Sequence, residues 1–445
     1  MGDAVTPFTI AIPDADLADL RARLAKARWP DAEPVDDWSQ GAPLAYVRGL
    51  AEYWRDGYDW RAREVHLNGF PQFTTDIDGL TIHFVHVRSE RADAVPLVIT
   101  HGWPGSFAEF QRVYRPLADA GFHVVAPSLP GFGFSSKPTA PGVTAERISE
   151  LWAQLMARLG YDRYLAQGGD WGSVVTAQLG ARDPDHCAGI HVTLAMTSGP
   201  PGAPTEPDEL RAIERLQEYV AHESGYSTQQ KTRPQTLGYG LHDSPVGQLA
   251  WIVEKFHRWT DHDGDPADLL GRDEMLDDVS LYWFTGTATS SARLYWESFG
   301  KIDQPEITVP TGVGVYPGEI VPPVRKWMEA KYTNIVHWRE HERGGHFAGW
   351  EVPEAFVADP DLLPRIIHPE DRPAYRDHRG EALEGCATDE VEFRIVRRDG
   401  AVRWVGHACQ PVYDVDGKYL GIRGSNRDIT EQKRVEHELA AAKLS

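Results

Sequence analysis

Cysteine is scarce in this sequence of 445 residues: Cys187, Cys386 and Cys409 are odd in number, widely spaced and form no Cys-x-x-Cys pair. Neither a disulfide framework nor a thiolate zinc site is indicated, and a reducing cytoplasm is the expected location. Positive charge is also short, with 45 Lys and Arg against 66 Asp and Glu, a formal net charge of −21 and no basic run. Nucleic acid and anionic membrane both attract positive surface, so neither is an expected partner. No apolar run reaches the roughly 18 residues of a membrane span, and the N-terminus lacks the basic-then-apolar pattern of a secretory signal. Also absent are His-Glu-x-x-His, His-x-Glu with paired cysteines, and a Rossmann glycine fingerprint after a strand, so no metal or nucleotide cofactor is expected.

What is present is globular: 41% hydrophobic and 25% charged residues, enough for a large core in two or three structural units. Leu17, Leu20, Leu24 and Ala27 recur at helical spacing and predict an amphipathic helix over 13–29, closed by Trp29-Pro30 because proline cannot continue it. The runs 73–77 and 80–87 read as strands joined by Asp78-Gly79, a tight-hairpin signal. From about residue 95, short continuous apolar runs (97–100, 122–126, 164–166 and 189–194) alternate with helical stretches, which predicts a parallel sheet with crossover helices. A turn-rich break around Pro200-Pro201-Gly202 opens a helical stretch rich in Tyr and Trp, read as an inserted lid. Strand runs return at 307–311 and 335–338, as if completing the sheet.

The strongest chemical signal is Gly168-Gly169-Asp170-Trp171-Gly172-Ser173, directly after a short strand and before a helical run. A sharp strand-to-helix turn crowds its apex, so tiny residues are needed two positions to either side, and Gly168 and Gly172 supply them. The apex is Asp where serine is more familiar, and that choice speaks to the substrate. Serine attacking a saturated carbon would leave an ether that water does not readily cleave; a carboxylate leaves an ester, which a second, activated water can hydrolyse. His101-Gly102-Trp103-Pro104 follows the strand run 97–100, and a nucleophile elbow of this kind takes part of its oxyanion hole from the loop after such a strand, so the backbone N–H groups of Trp103 and Trp171 are the expected donors.

With these residues in view, the chain resembles the microsomal-type epoxide hydrolases, including the juvenile hormone epoxide hydrolases, from about Phe8 to Phe356. Arg28-Trp29-Pro30, Tyr58-Asp59-Trp60-Arg61, Leu67-Asn68-Gly69-Phe70 and Ile82-His83-Phe84-Val85-His86 resemble that family's N-terminal region, which haloalkane dehalogenases lack. The resemblance implies an α/β-hydrolase fold: a mostly parallel sheet with helices on both faces and a helical lid. It also implies opening of epoxides to vicinal diols through an ester on Asp170, with a small-molecule epoxide and water as partners and no cofactor. The matching base is His346, in Arg343-Gly344-Gly345-His346-Phe347, and its carboxylate partner is Glu319, in Tyr316-Pro317-Gly318-Glu319, with Glu340 and Glu342 as nearby competitors. Epoxide opening also needs a proton for the developing alkoxide, and a phenol stays protonated at neutral pH while being acidic enough to donate. By resemblance, Tyr226 and Tyr295 are that pair.

Beyond Phe356 the family pattern stops. The run 361–372, hairpin signals at Asp399-Gly400 and Asp416-Gly417, and Arg427-Asp428-Ile429-Thr430 followed by a charged helical stretch (431–444) resemble the second half of a PAS domain, a small α+β fragment without room for its opening strands. Such a remnant would expose a sheet edge, so the tail is expected to cover the hydrolase sheet or to pair with a second chain as a homodimer, a contact the lid could also provide. The expected organisation is an N-terminal region and hairpin (1–90), first core part (91–196), lid (197–304), second core part (305–358) and PAS-like module (359–445). Two rivals are a haloalkane dehalogenase, which shares the Asp elbow, and a PAS-linked sensory or scaffold protein with an inactive hydrolase portion.

Overall fold

The computed structural model describes residues 4–195, 204, 206–303, 305–357, 391–396, 402–413, 419–430 and 433–434. The chain divides into two compact units at Val357/Ala358. In the first, nine strands form one sheet in the order β1-β2-β3-β5-β4-β6-β7-β8-β9. They are β1 (Thr6–Phe8), β2 (Gln72–Ile77), β3 (Leu80–Val87), β4 (Val95–Thr100), β5 (Phe122–Pro127), β6 (Tyr164–Gly168), β7 (Cys187–Val192), β8 (Thr311–Val315) and β9 (Ile335–Glu340). Strands β1 to β3 are antiparallel and β3 joins β5 antiparallel; from β5 onward the neighbours are parallel. The hairpin turns on Asp78 (φ 50°) and Gly79 (φ 83°), two successive left-handed residues as the Asp-Gly signal requires. Continuous apolar runs suit the central strands because both faces are covered: Val98, Ile99, Val124, Val125 and Val192 are fully buried.

Two expectations need correction. The first helix ends at Ala25, short of Trp29-Pro30, because its buried stripe of Leu17, Leu20 and Leu24 runs out there and the Lys26 N–H turns back onto the Arg23 and Leu24 carbonyls. The strand expected at 307–311 begins at Thr311; Ile307 makes only an isolated bridge to Tyr332. Pro310 has no N–H for a ladder, and Gly312 and Gly314 break the apolar run that marks the other strands, while leaving room for the His191 ring.

The lid consists of helices between Pro207 and Ser298, and Pro207, Pro234, Pro245 and Pro266 each stand in the first turn of one, where the missing N–H costs nothing. The N-terminal helices Leu44–Asp56 and Trp60–Leu67, with Tyr58 between them, brace it. Tyr46, Tyr53 and Tyr58 donate hydroxyl hydrogen bonds to Asp265 (2.7 Å), Asp273 (2.7 Å) and Asp277 (2.8 Å) of the lid. Arg63 adds an ion pair to Asp277, whose side chain is fully buried. Among the described residues no helix is long and apolar enough to cross a membrane.

The second unit contains β10 (Val391–Val396), β11 (Val402–Tyr413) and β12 (Tyr419–Asp428), an antiparallel sheet in that order. Phe393 pairs across to Val405 and both are buried, with Val391 and Ile395 packed beside them. The run 361–372 and the turns at Asp399-Gly400 and Asp416-Gly417 lie outside the described residues, as does the stretch 431–444 apart from Lys433 and Arg434.

Candidate active site

Adjacent parallel strands β4 and β6 end side by side, with Thr100 in register with Gly168, so the loops that leave them meet. Asp170 caps the helix Trp171–Arg182 with φ 49° and ψ −129°, a left-handed backbone that a non-glycine residue holds only where its surroundings enforce it. The glycines at either side are dictated by contact: a Cβ on Gly168 would lie 2.1 Å from the Gly172 carbonyl oxygen, and one on Gly172 would lie 1.9 Å from that of Thr100. Gly102 leaves room for Asp170 itself, since its Cβ would sit 2.2 Å from Oδ1. The Trp103 N–H donates to Asp170 Oδ1 at 2.8 Å. Trp171 opens the helix, so its N–H has no intrahelical carbonyl.

The other carboxylate oxygen, Oδ2, is 3.5 Å from His346 Nε2, and His346 Nδ1 is 2.7 Å from Glu319 Oε1. Both His346 and Glu319 are buried, whereas the competing Glu340 and Glu342 are exposed. Their loops are brought together by a parallel bridge between Gly318 and Gly345. Burial would lower the His346 pKa, but the negative charges of Glu319 and Asp170 on either side outweigh it and hold the imidazole well above 6.5. The backbone N–H of His346 donates to the Trp259 carbonyl at the end of the lid helix Pro245–Trp259. Glu351 pins the same loop by accepting from Phe347 N–H and Asp261 N–H at 2.8 Å each; burial pushes its pKa up to about 7.

The lid brings Tyr226 and Tyr295 over this apparatus. Tyr226 stacks on Trp103 (4.9 Å, 11°), Tyr295 meets Trp171 edge-on (5.0 Å), and the two tyrosine rings are 5.8 Å apart. Tyr219 donates to the Tyr226 hydroxyl at 3.2 Å, while the Tyr295 hydroxyl is buried without a well-formed hydrogen bond in the protein. Burial pushes both phenols well above 10, and the Asp170 charge acts in the same direction.

All seven residues singled out in the sequence therefore converge on one buried, aromatic-walled space. Two neighbours escaped sequence reasoning. Trp259 packs its ring 5.0 Å from His346 and 5.2 Å from Tyr226. Lys255, one turn earlier, is buried with its ammonium 4.6 Å from the centre of the Tyr226 ring. The available signal was a lone lysine inside the apolar stripe that runs from Leu249 to Trp259.

Residues 5–110 match the family described as epoxide hydrolase N terminus, 95–223 the alpha/beta hydrolase fold, and 346–426 the PAS fold. A Stigmatella aurantiaca protein assigned to the epoxide hydrolases is 50% identical over 366 residues, covering 79% of this chain and 83% of its own. Epoxide hydrolase 1 of Sus scrofa is 34% identical over 400 residues, covering 80% and 88%. The solved structure of Aspergillus niger epoxide hydrolase superposes with a TM-score of 0.75 at 35% identity, covering 81% of this chain and 96% of that one. The chain thus belongs to the microsomal-type epoxide hydrolases, enzymes of the α/β-hydrolase fold, and carries a PAS-like segment at its C-terminal end.

Proposed function

We propose that this epoxide hydrolase works in two half-reactions centred on Asp170. In the first, a carboxylate oxygen of Asp170 forms a bond to an epoxide carbon, the C–O bond of the ring breaks, and the ring oxygen takes a proton from Tyr226 or Tyr295. In the second, His346 takes a proton from water as the water oxygen adds to the ester carbonyl, with the oxyanion received by the N–H groups of Trp103 and Trp171. Each such donor contributes about 3 kcal/mol in comparable acyl chemistry. His346 then protonates the departing diol oxygen, and the second water proton, left on the Asp170 carboxyl, passes to His346, which restores the ionised carboxylate and protonated imidazole of the resting site. Glu319 holds the imidazole tautomer and offsets its positive charge.

The observation that carries this reading is the placement of one carboxylate between a backbone donor at 2.8 Å and an imidazole at 3.5 Å, beneath two buried phenols. The phenols weigh against a dehalogenase, because a departing halide needs no proton. The Asp170 charge also explains how one imidazole serves both stages. While Asp170 is ionised His346 is held protonated; once the ester forms, that charge is gone, and the imidazole gives its proton up to the phenolate and becomes the neutral base. The aromatic walls favour an apolar epoxide. A single turnover in ¹⁸O water followed by peptide mapping tests the scheme: label is expected in the Asp170 carboxylate, and a diol formed while that peptide keeps ordinary oxygen would refute the ester. Asp170→Asn is expected to lower kcat by about 10⁴-fold or more.

The same reading takes the protein as cytoplasmic, in keeping with its unpaired, buried Cys187, and takes the PAS-like sheet as a self-association surface. Among the described residues β10 and β12 each have a neighbour on one side only. Light scattering should then give a dimer for the full chain and a monomer for a chain ending at residue 357; equal masses per chain would exclude that role. Fractionation of cells should leave the enzyme in the soluble portion, and recovery with membranes would exclude the location.

A further inference from the structure

Lysine is among the residues least often buried, and a buried lysine needs a reason. Lys255 lies in the apolar face of the lid helix Pro245–Trp259, between Ile252 and Trp259, with its side chain 3% exposed. Its ammonium is 2.7 Å from Glu254 Oε2, 4.6 Å from the Tyr226 ring centre and 5.7 Å from that of Trp259. The groups that face Tyr226 are the phenols of Tyr219 and Tyr295, the carboxylate of Asp170 and the ammonium of Lys255; Lys255 in turn faces Glu254 and Glu223. His346, paired with Asp170 and Glu319, completes the charged set. Burial, the other two tyrosines and Asp170 all make Tyr226 a weaker acid than a free phenol, while the proposed reaction asks it to give up a proton.

A cation on the face of an aromatic ring is attracted to its electron density, and that density grows when the phenol becomes a phenolate. We propose that Lys255 is a positioning residue for proton donation: its ammonium, over the Tyr226 ring, stabilises the phenolate left when the epoxide oxygen takes the proton. The electron pair of the breaking C–O bond accepts the Tyr226 proton, the negative charge passes to the phenolate, and Lys255 keeps all its protons throughout. This rests on Tyr226 being a proton donor.

The test measures the rate of ester formation in the full chain by stopped-flow tryptophan fluorescence with styrene oxide, as a function of pH. Lys255→Met should slow ester formation by up to about tenfold and move the alkaline limb, where the donor loses its proton, upward by about one pH unit. Lys255→Arg should restore both, and Lys255→Met should have no further effect in a Tyr226→Phe background. A purely structural loss would slow the reaction without moving the limb. A folded Lys255→Met with the wild-type limb, beside a slow Tyr226→Phe, overturns the role of Lys255 alone; a Tyr226→Phe that forms ester at the wild-type rate overturns the reading of Tyr226 beneath it. Should Lys255→Met not fold, Glu254→Gln, at a site 30% exposed, frees the ammonium from its counter-ion and should move the limb downward, and an unmoved limb overturns the proposal.

Discussion

The floor and the roof of the site are built on different principles. The floor, Asp170 with His346 and Glu319, stands on loops at the strand ends of the sheet, and backbone fixes it: a left-handed apex, glycines that admit no Cβ, and a bridge between Gly318 and Gly345. The roof, Tyr226 and Tyr295, stands on the lid helices Gly225–Thr232 and Ala288–Ser298 and is set by side-chain ring contacts with Trp103 and Trp171, while the hydrogen bonds and ion pair from the N-terminal helices hold another part of the lid, at Asp265, Asp273 and Asp277. The comparison teaches that the N-terminal region is part of the support of the lid, with three hydroxyls and one guanidinium placed on its carboxylates.

The sharpest way to separate floor from roof is to stop each half-reaction. His346→Gln should still form the ester and then stall, with turnover down about 10³-fold or more and one epoxide mass retained per chain in intact-protein mass spectrometry. The double replacement Tyr226→Phe/Tyr295→Phe should lose turnover by about 10²- to 10⁴-fold with no ester accumulating, because proton donation belongs to the first step. Equal amounts of trapped ester in the two variants would dissolve the distinction. The bracing role is broken by Arg63→Met, which leaves the buried Asp277 without its cation and should cost about 3–5 kcal/mol in denaturant unfolding, with KM raised more than the rate of ester hydrolysis is lowered. An unchanged unfolding midpoint would remove the brace.

The smallest effect concerns pH. Asp278, in the lid helix Arg272–Thr285, is wholly buried and burial pushes its pKa up to about 8. A carboxyl whose folded pKa lies above its unfolded value contributes stability that is fully present below the unfolded value, near pH 4, and is lost as the pH rises through about 8. Asp278→Asn should flatten that decline, narrowing the difference between thermal midpoints at pH 6 and pH 9; an identical slope in the two proteins would count against it.

What could be read from the sequence was local. The elbow is written in six consecutive residues, and the hairpin in two, because steric demands there act between near neighbours. Strand β8 was misplaced by several residues, since its Thr-Gly-Val-Gly-Val run trades apolar bulk for close approach to His191. The choice of Glu319 over Glu340 and Glu342 came from resemblance, and its physical reason, the pairing of two glycine loops, joins residues 27 apart. Lys255 was invisible for the opposite reason: a single charge in an apolar stripe has meaning only once the ring above it, from another helix, is known.

The hydrogen bond from His346 to the Trp259 carbonyl has a bearing on how product escapes. Lifting the helix Pro245–Trp259 away from the sheet would carry off the support of the very imidazole that has to be ready for the next turnover. The seating of that helix and the orientation of His346 are therefore one structural event, so that any movement of the first is felt by the second.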